Sequence, residues 1–200
     1  SRDYVIPLQL CSKPMRVGLI SDTHITGDNL DLPEPIYRAF NSVDLILHCG
    51  DLESISVLDA MEQIAPVKAV RGHTDPFEDS DRLTDGARIV TLENLHIGMI
   101  HDLEWPSPGI PYRDNQLVIP DTNLDKLLSR KFGQPVDIVI FGDTHEEIVQ
   151  RESNILFINP GSPTRPSIRR LGHTFGTVAV MDVTVNTCTV EIIDLENMKN

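Results

Sequence analysis

The sequence predicts an α/β fold with a largely parallel sheet, and three observations support this prediction. Between residues 15 and 70, short apolar runs alternate with segments of helical periodicity. This β-α-β-α-β order is typical of parallel sheets covered by helices. The chain has 200 residues, enough to bury a substantial core, and shows no internal repeat or linker. We therefore expect one domain over residues 15–200, preceded by an N-terminal arm or cloning remnant over residues 1–14.

The individual elements follow from local patterns. In the first half we predict strands over 16–20, 43–48 and 67–70 and helices over 34–40 and 54–63. In the second half we predict strands over 88–92, 96–100, 136–141, near 148, and over 155–158, 177–183 and 187–193. Asp121 is the expected N-cap of a helix that ends near residue 132, and Asn186 is a typical hairpin residue. Residues 104–120 form a proline-rich loop whose length indicates a functional or disordered segment.

Composition excludes several classes of function. Thirty acidic residues against 17 Lys and Arg give a formal charge of −13, which argues against a general nucleic-acid or anionic-membrane surface. Bound cations would still allow a substrate that carries phosphate. The three cysteines form no paired pattern, and we find neither a membrane-spanning segment nor a signal peptide. We therefore expect a cytoplasmic protein without disulfides.

Acidic and histidine residues follow the predicted strands. Asp22 and His24 follow the first strand, where extended backbone would point both side chains the same way. The other such residues are Asp51, His73, His101, Asp143 and His145. Ligands of open α/β sheets bind at the carboxyl ends of the strands, so these side chains are expected to meet at one edge. Seven oxygen and nitrogen donors exceed what one ion needs and suit two divalent cations.

Six blocks of sequence strengthen this interpretation. They are Asp22-Thr23-His24, Gly50-Asp51, Gly72-His73-Thr74-Asp75, Ile100-His101, Gly142-Asp143-Thr144-His145 and Asn159-Pro160-Gly161-Ser162. In this order they resemble the calcineurin-like metallophosphoesterases, and the small phosphodiesterase branch in particular. The resemblance implies an α/β fold of the four-layer α/β/β/α sandwich type. It also implies a phosphodiesterase in which a hydroxide that bridges two metal ions attacks the phosphodiester.

The resemblance also implies a role for each residue. Asp22, His24, Asp51 and His145 would hold the first metal, and Asp51 would bridge to a second metal held with His73, His101 and Asp143. We expect Asp51 and His73 to act in catalysis and Thr74 to contact the substrate. The Asn-Pro-Gly-Ser turn that begins at Asn159 would support the site.

Three positions depart from the family pattern. His73 stands where the family usually has Asn, and Asp143 stands where it usually has His, which makes the ligand set more negative by one charge. More carboxylate favours harder cations, so we expect two divalent ions, with Mn²⁺ preferred over Fe, Mg, Ni or Zn, and an alkaline-shifted optimum. Thr74 replaces a histidine that assists the leaving group in larger members, so the metals would provide most of the rate enhancement.

Alternatives remain open at this point. A non-catalytic interaction scaffold like the retromer subunit of this fold is the rival from another class, and a phosphomonoesterase is the third possibility. We expect a small phosphodiester as substrate, no membrane partner, and leave a homo-oligomer open. Trp105 and Tyr112 in the proline-rich loop could stack on a nucleoside or fill a subunit interface. Arg165, Arg169 and Arg170 form a basic cluster that could be solvated or could capture phosphate.

Overall fold

A computed structural model describes residues 13–27, 30–77, 80–121, 123–185 and 187–199. Most of the predicted N-terminal arm and the hairpin residue Asn186 lie outside these described residues. Within the described ranges, no helix combines the length and apolar character needed to cross a bilayer.

The first sheet has six strands and carries the predicted β-α-β-α-β segment. Its strands are β1 (Met15–Ile20), β2 (Leu45–His48), β3 (Val67–Val70), β4 (Leu83–Thr84), β12 (Thr177–Val183) and β13 (Cys188–Asp194). They lie in the order β13-β12-β1-β2-β3-β4. The four strands from β1 to β4 are parallel, whereas β12 and β13 pair antiparallel at one edge. Helices α1 (Glu34–Ala39) and α2 (Ser56–Glu62) connect the parallel strands.

The second sheet has five strands in the order β10-β11-β9-β6-β5. Their bounds are β5 (Arg88–Leu92), β6 (Leu95–Met99), β9 (Ile138–Ile140), β10 (Ile148–Glu152) and β11 (Ile155–Asn159). The three central strands are parallel, and both edge strands are antiparallel. Helix α3 (Leu124–Phe132) crosses between β6 and β9. Both sheets are therefore mixed, with the predicted parallel pairing in their centres.

Three apolar clusters hold the layers together. Between the sheets, Leu19 and Leu47 of the first sheet belong to the same buried cluster as Met99 and Ile140 of the second. The neighbouring strand residues point the other way, as strand geometry requires, and pack against helices α1 and α2. A third cluster places α3 on the outer face of the second sheet. This order of layers is the expected α/β/β/α sandwich.

The structure corrects two local predictions. Helix α3 is capped by Asn123, whose side chain accepts the N–H of Lys126 at 2.8 Å, and not by Asp121. Both residue types cap helices well, so composition alone did not separate them. The proline-rich loop contains a short hairpin formed by β7 (Tyr112–Arg113) and β8 (Gln116–Leu117). Gln150 on β10 ties this hairpin to the second sheet through both its amide oxygen and its amide nitrogen.

Candidate metal centre

The carboxyl ends of β1, β2, β3, β6 and β9 meet at one edge of the sandwich, and polar loops follow each strand. Ligand atoms of seven Asp and His residues gather there in three overlapping groups, each with all its atoms within 4.8 Å of one another. The groups are Asp22-His24-His145, Asp22-Asp51-His101 and His73-His101-Asp143. All seven residues predicted as metal ligands therefore lie together in space.

The backbone that presents these side chains is unusual. Five of the seven residues have positive φ angles, namely Asp22 (53°), His24 (44°), Asp51 (56°), Asp143 (69°) and His145 (57°). Such angles are uncommon outside glycine, and strained residues of this kind cluster at functional sites. The expectation that extended backbone brings Asp22 and His24 together is wrong. The chain leaves β1 at Ile20 and presents both side chains from a left-handed turn.

The first group is organised by a residue that the sequence patterns did not reveal. Glu53 Oε1 accepts the Nδ1–H of His24 at 2.7 Å, and Arg165 holds the same oxygen at 2.9 Å. A carboxylate on one ring nitrogen fixes the tautomer and directs the lone pair of the other nitrogen. His24 Nε2 faces His145 Nε2 at 3.1 Å, and His145 Nε2 lies 3.5 Å from Asp22 Oδ1. Glu53 comes 29 positions after His24, so no local motif links them.

The second group contains the two residues that depart from the family pattern. His73 Nε2 lies 3.4 Å from Asp143 Oδ1 and 3.5 Å from Asp102 Oδ2, a further carboxylate that sequence reasoning missed. His101 donates its Nδ1–H to the carbonyl of Cys49 at 2.7 Å. Its Nε2 is buried without a hydrogen bond in the described part of the chain and lies 3.9 Å from Asp143 Oδ1. His73 is exposed, so it forms the solvent side of the group.

Asp51 lies between the two groups. Its Oδ2 is 3.7 Å from His24 Nε2 and 3.4 Å from His101 Nε2. Its Oδ1 accepts the backbone N–H of Thr74 at 2.9 Å. Burial alone would raise the pKa of this carboxyl, but His101 and the amide and hydroxyl of Thr74 hold it well below its usual range. Thr74 thus contacts Asp51 in the structure, and its substrate contact stays a prediction.

Asp75 fixes the backbone of the loops that carry Asp51. Its Oδ2 accepts the N–H groups of Asp51 and Gly72 at 2.8 and 2.7 Å. Its Oδ1 accepts those of Leu52 and Glu53 at 2.6 and 2.9 Å. One buried carboxylate therefore satisfies four backbone donors and joins the two loops.

The turn that begins at Asn159 braces the opposite side. Asn159 Nδ2 donates to the carbonyl of Gly142 and to Thr144 Oγ1, at 2.9 and 3.0 Å. Ser162 Oγ donates to the carbonyl of Asp22 at 2.7 Å. Gly142 passes so close to the first loop that a Cβ there would lie 1.9 Å from Ser21 Oγ. The turn therefore supports the candidate ligands without facing them, as expected.

A buried histidine beside the site has a structural role. His48 Nδ1 accepts the N–H of Gly50 at 3.0 Å, so its Nε2–H is free to donate to Thr23 Oγ1 at 3.1 Å. Burial lowers the pKa of His48 to about 4. A ring that must accept at Nδ1 is neutral, so His48 supports the loops of the centre without charge.

The charges of the site fit a bound cation. Burial raises the pKa of Asp22 to about 7, and its Oδ2 has no hydrogen-bond partner among the described residues. Burial alone would lower the pKa of His101, yet its contact with Asp51 and the charge of Asp22 raise it to about 9. Two donors about 2.1 Å from one ion are separated by roughly 3.0–3.5 Å, and several neighbouring donors here lie at such distances, for example 3.1 Å between His24 and His145 and 3.4 Å between His101 and Asp51. Divalent cations would supply the positive charge that these carboxylates lack.

The basic cluster is neutralised by ion pairs. Arg169 pairs with Glu146, Arg170 pairs with Asp194 and Glu147, and Arg165 pairs with Glu53. These pairs position loops around the first group, and they account for the charge of the cluster within the fold.

Comparison with known proteins gives a consistent result. Residues 15–186 match the family model of the calcineurin-like phosphoesterase superfamily domain. A probable metallophosphoesterase of Methanothermobacter thermautotrophicus is 34% identical over 154 residues, which cover 77% of this chain and 80% of that protein. A phosphodiesterase of Methanocaldococcus jannaschii is 27% identical over 149 residues, covering 74% and 83% of the two chains. The crystal structure of wild-type Vps29 complexed with zinc, from Entamoeba histolytica, aligns with a TM-score of 0.61 at 20% identity. That alignment covers 90% of this chain and 99% of the other.

The family model spans the elements from β1 to β12, and it includes every residue of the three Asp and His groups. The fold, the order of the sequence blocks and the family match therefore agree. This chain belongs to the calcineurin-like phosphoesterase superfamily.

Proposed function

We propose that this chain is a metal-dependent phosphodiesterase that works with two divalent cations. One observation carries the proposal: the three Asp and His groups form a continuous series, in which Asp22, Asp51 and His101 link the two outer groups. Two adjacent ions that share a carboxylate would match that arrangement. The phosphodiesterase from Methanocaldococcus jannaschii among its relatives supports the diester preference.

In this proposal, the ligands divide between two positions. Asp22, His24 and His145 would hold the first ion, His73, His101 and Asp143 would hold the second, and Asp51 is placed to serve both. When bound, the cations supply Lewis acidity towards the phosphoryl group and activate the attacking water. Glu53 fixes the ring of His24, and the carbonyl of Cys49 fixes the ring of His101.

The chain's own residues set the shape of the reaction site. The N–H of Thr74 restrains Oδ1 of Asp51, so that Oδ2 lies near the Nε2 atoms of His24 and His101. His73, with 56% of its side chain exposed, is the candidate ligand that a substrate meets first. These positions favour a phosphodiester that approaches from the side of His73.

We further propose Mn²⁺ as the preferred ion. Asp143 and Asp102 place two carboxylates beside His73, and hard oxygen donors favour Mn²⁺ over Zn²⁺. Reconstitution of the apoprotein with each ion in turn tests this point. Highest turnover with Mn²⁺ and an alkaline optimum are expected, whereas highest turnover with Zn²⁺ would contradict it.

Elemental analysis together with a diesterase assay tests the proposed function. We expect about two metal ions per chain and faster hydrolysis of bis-p-nitrophenyl phosphate than of p-nitrophenyl phosphate. Loss of a group that is hydrogen-bonded to a metal ligand typically costs roughly 10–100-fold in activity. Asp51→Asn removes a ligand itself and should lower kcat/KM by more than this. Asp125→Asn on the exposed face of α3 is the matched control and should behave like the wild type.

The competing functions correspond to other outcomes of the same assay. Faster hydrolysis of the monoester would indicate a phosphomonoesterase. No metal-dependent turnover of either ester would favour the non-catalytic interaction scaffold. The cytoplasmic location inferred from cysteine content stays a prediction; Cys49 and Cys188 are free thiols in the part of the chain described.

A further inference from the structure

A cleft of about 390 Å³ opens directly beside the second group of candidate ligands. Its volume lies within the roughly 300–1,000 Å³ typical of small-molecule sites. His73, His101 and Trp105 are among the residues that line it. A group bound in this cleft would therefore be attached to a phosphate located at the metal centre.

Trp105 is the most distinctive part of the cleft. It is the only tryptophan of the chain, and it is 66% exposed. Its loop is nevertheless fixed, because Asp102 Oδ1 accepts the N–H groups of both Glu104 and Trp105, at 2.7 and 3.2 Å. Lys131 on α3 donates to the carbonyl of Pro106 at 2.8 Å. An exposed indole on a fixed loop can stack on a flat ring with little loss of conformational entropy.

The rest of the cleft suits a flat polar ring. Gly72, Gly86 and Ala87 contribute little side-chain bulk to its walls. At its edge Arg71 binds Asp85 through Nε and Nη2, at 2.9 and 2.8 Å. Both contacts use Oδ1 of Asp85, so Nη1 of Arg71 and Oδ2 of Asp85 can serve as a donor and an acceptor for the edge of a heterocycle such as a nucleobase. An aliphatic substituent would leave both groups unused.

The charge of the chain restricts the class of ligand further. A formal charge of −13 disfavours a long polyanion, because binding of nucleic acids depends on a basic surface that neutralises successive phosphates. A small diester with one phosphate and one base does not need such a surface. The ligand that fits is therefore a mononucleotide-type diester and not a polynucleotide.

We propose that this cleft binds the nucleobase of a small nucleotide diester, with Trp105 as its stacking surface and Arg71 and Asp85 at its edge. The inference rests on the proposed phosphodiesterase function and adds the class of substrate. Trp105 is here a specificity-determining residue, since it contacts the substrate at a distance from the phosphorus.

Two esters that share a leaving group test the subsite. Thymidine 5′-(p-nitrophenyl phosphate) carries a base, and methyl p-nitrophenyl phosphate does not. Stacking of one base on an aromatic ring corresponds to a preference of about tenfold in kcat/KM for the thymidine ester. Trp105→Ala should reduce this ratio to nearly one, and Trp105→Phe should retain part of it. Leu171→Ala removes another exposed apolar side chain, outside the cleft lining, and should keep the wild-type ratio.

The fluorescence of the single tryptophan gives a second readout that needs no turnover. Titration with thymidine 5′-monophosphate should quench the emission of Trp105 to saturation, and ribose 5-phosphate should not. Equal kcat/KM for the two esters without quenching would overturn the subsite while leaving the phosphodiesterase intact. Saturable quenching without hydrolysis of either ester would support the subsite and overturn the phosphodiesterase.

Discussion

Replacement of Asp75 by asparagine should lower the free energy of unfolding by more than the loss of any single surface interaction would. The carboxylate accepts four backbone N–H groups, two on each oxygen, at distances between 2.6 and 2.9 Å. Asparagine has nearly the same shape, but its NH₂ group donates. Whichever way the amide is oriented, two backbone donors would face another donor in a buried position.

The structure gives the magnitude of the effect. A hydrogen bond to a charged acceptor contributes about 1.5–3 kcal/mol, and two of the four are lost in Asp75→Asn, which gives a cost of about 3–6 kcal/mol. The free energy of unfolding of a domain of this kind is about 5–15 kcal/mol. The variant should therefore lose a large part of its stability, and the backbone of Asp51 and Gly72 should be held less firmly.

Urea denaturation followed by circular dichroism measures this cost. Asp44→Asn is the matched control, because Asp44 accepts a single backbone N–H, that of Arg16, at 2.8 Å on the surface. Asparagine keeps one acceptor oxygen there, so the control should cost less than about 1 kcal/mol. A free energy of unfolding that falls equally in both variants would refute the assigned role of Asp75.

Three further predictions concern the supports of the centre. Glu53→Gln should weaken Mn²⁺ binding about 10–100-fold in a calorimetric titration, because the carboxylate no longer fixes the ring of His24; an unchanged affinity would contradict the role assigned to Glu53. The pKa of His48 is lowered from 6.5 to about 4. As the pH falls, this histidine is therefore protonated in the unfolded chain before it is protonated in the folded chain, and the free energy of unfolding decreases between pH 6.5 and pH 4. Between pH 7 and pH 4.5 this effect should lower the free energy of unfolding by about 2–3 kcal/mol. In His48→Gln the decrease in the free energy of unfolding between the same two pH values should be smaller by that amount. Gly142→Ala places a Cβ against Ser21 Oγ and should cost about 1–3 kcal/mol in thermal unfolding; a melting temperature equal to that of the wild type would show that the loops separate freely.

Local patterns predicted most of the secondary structure. Strand β3 was predicted at the residues where it occurs, Val67–Val70, because a short apolar run bounded by polar turns has few other stable forms in water. The Asp and His residues were found because each follows an apolar strand. The cap of α3 was misplaced by two residues, since Asp121 and Asn123 satisfy the same local rule and only the geometry of the chain selects between them.

The sequence by itself determined that seven Asp and His side chains meet at one edge of the sandwich, because each of them follows the end of a strand. The tertiary structure alone decided how they are held there. The contact of Glu53 with His24 joins loops that are far apart in the chain, and so do the N–H groups of Asp51, Leu52 and Glu53 on Asp75. No spacing rule connects such partners. The sequence patterns did not predict the left-handed backbone at Asp22 and Asp51 either. Such backbone is strained in isolation, and it persists because packing and hydrogen bonds from distant segments hold it in place.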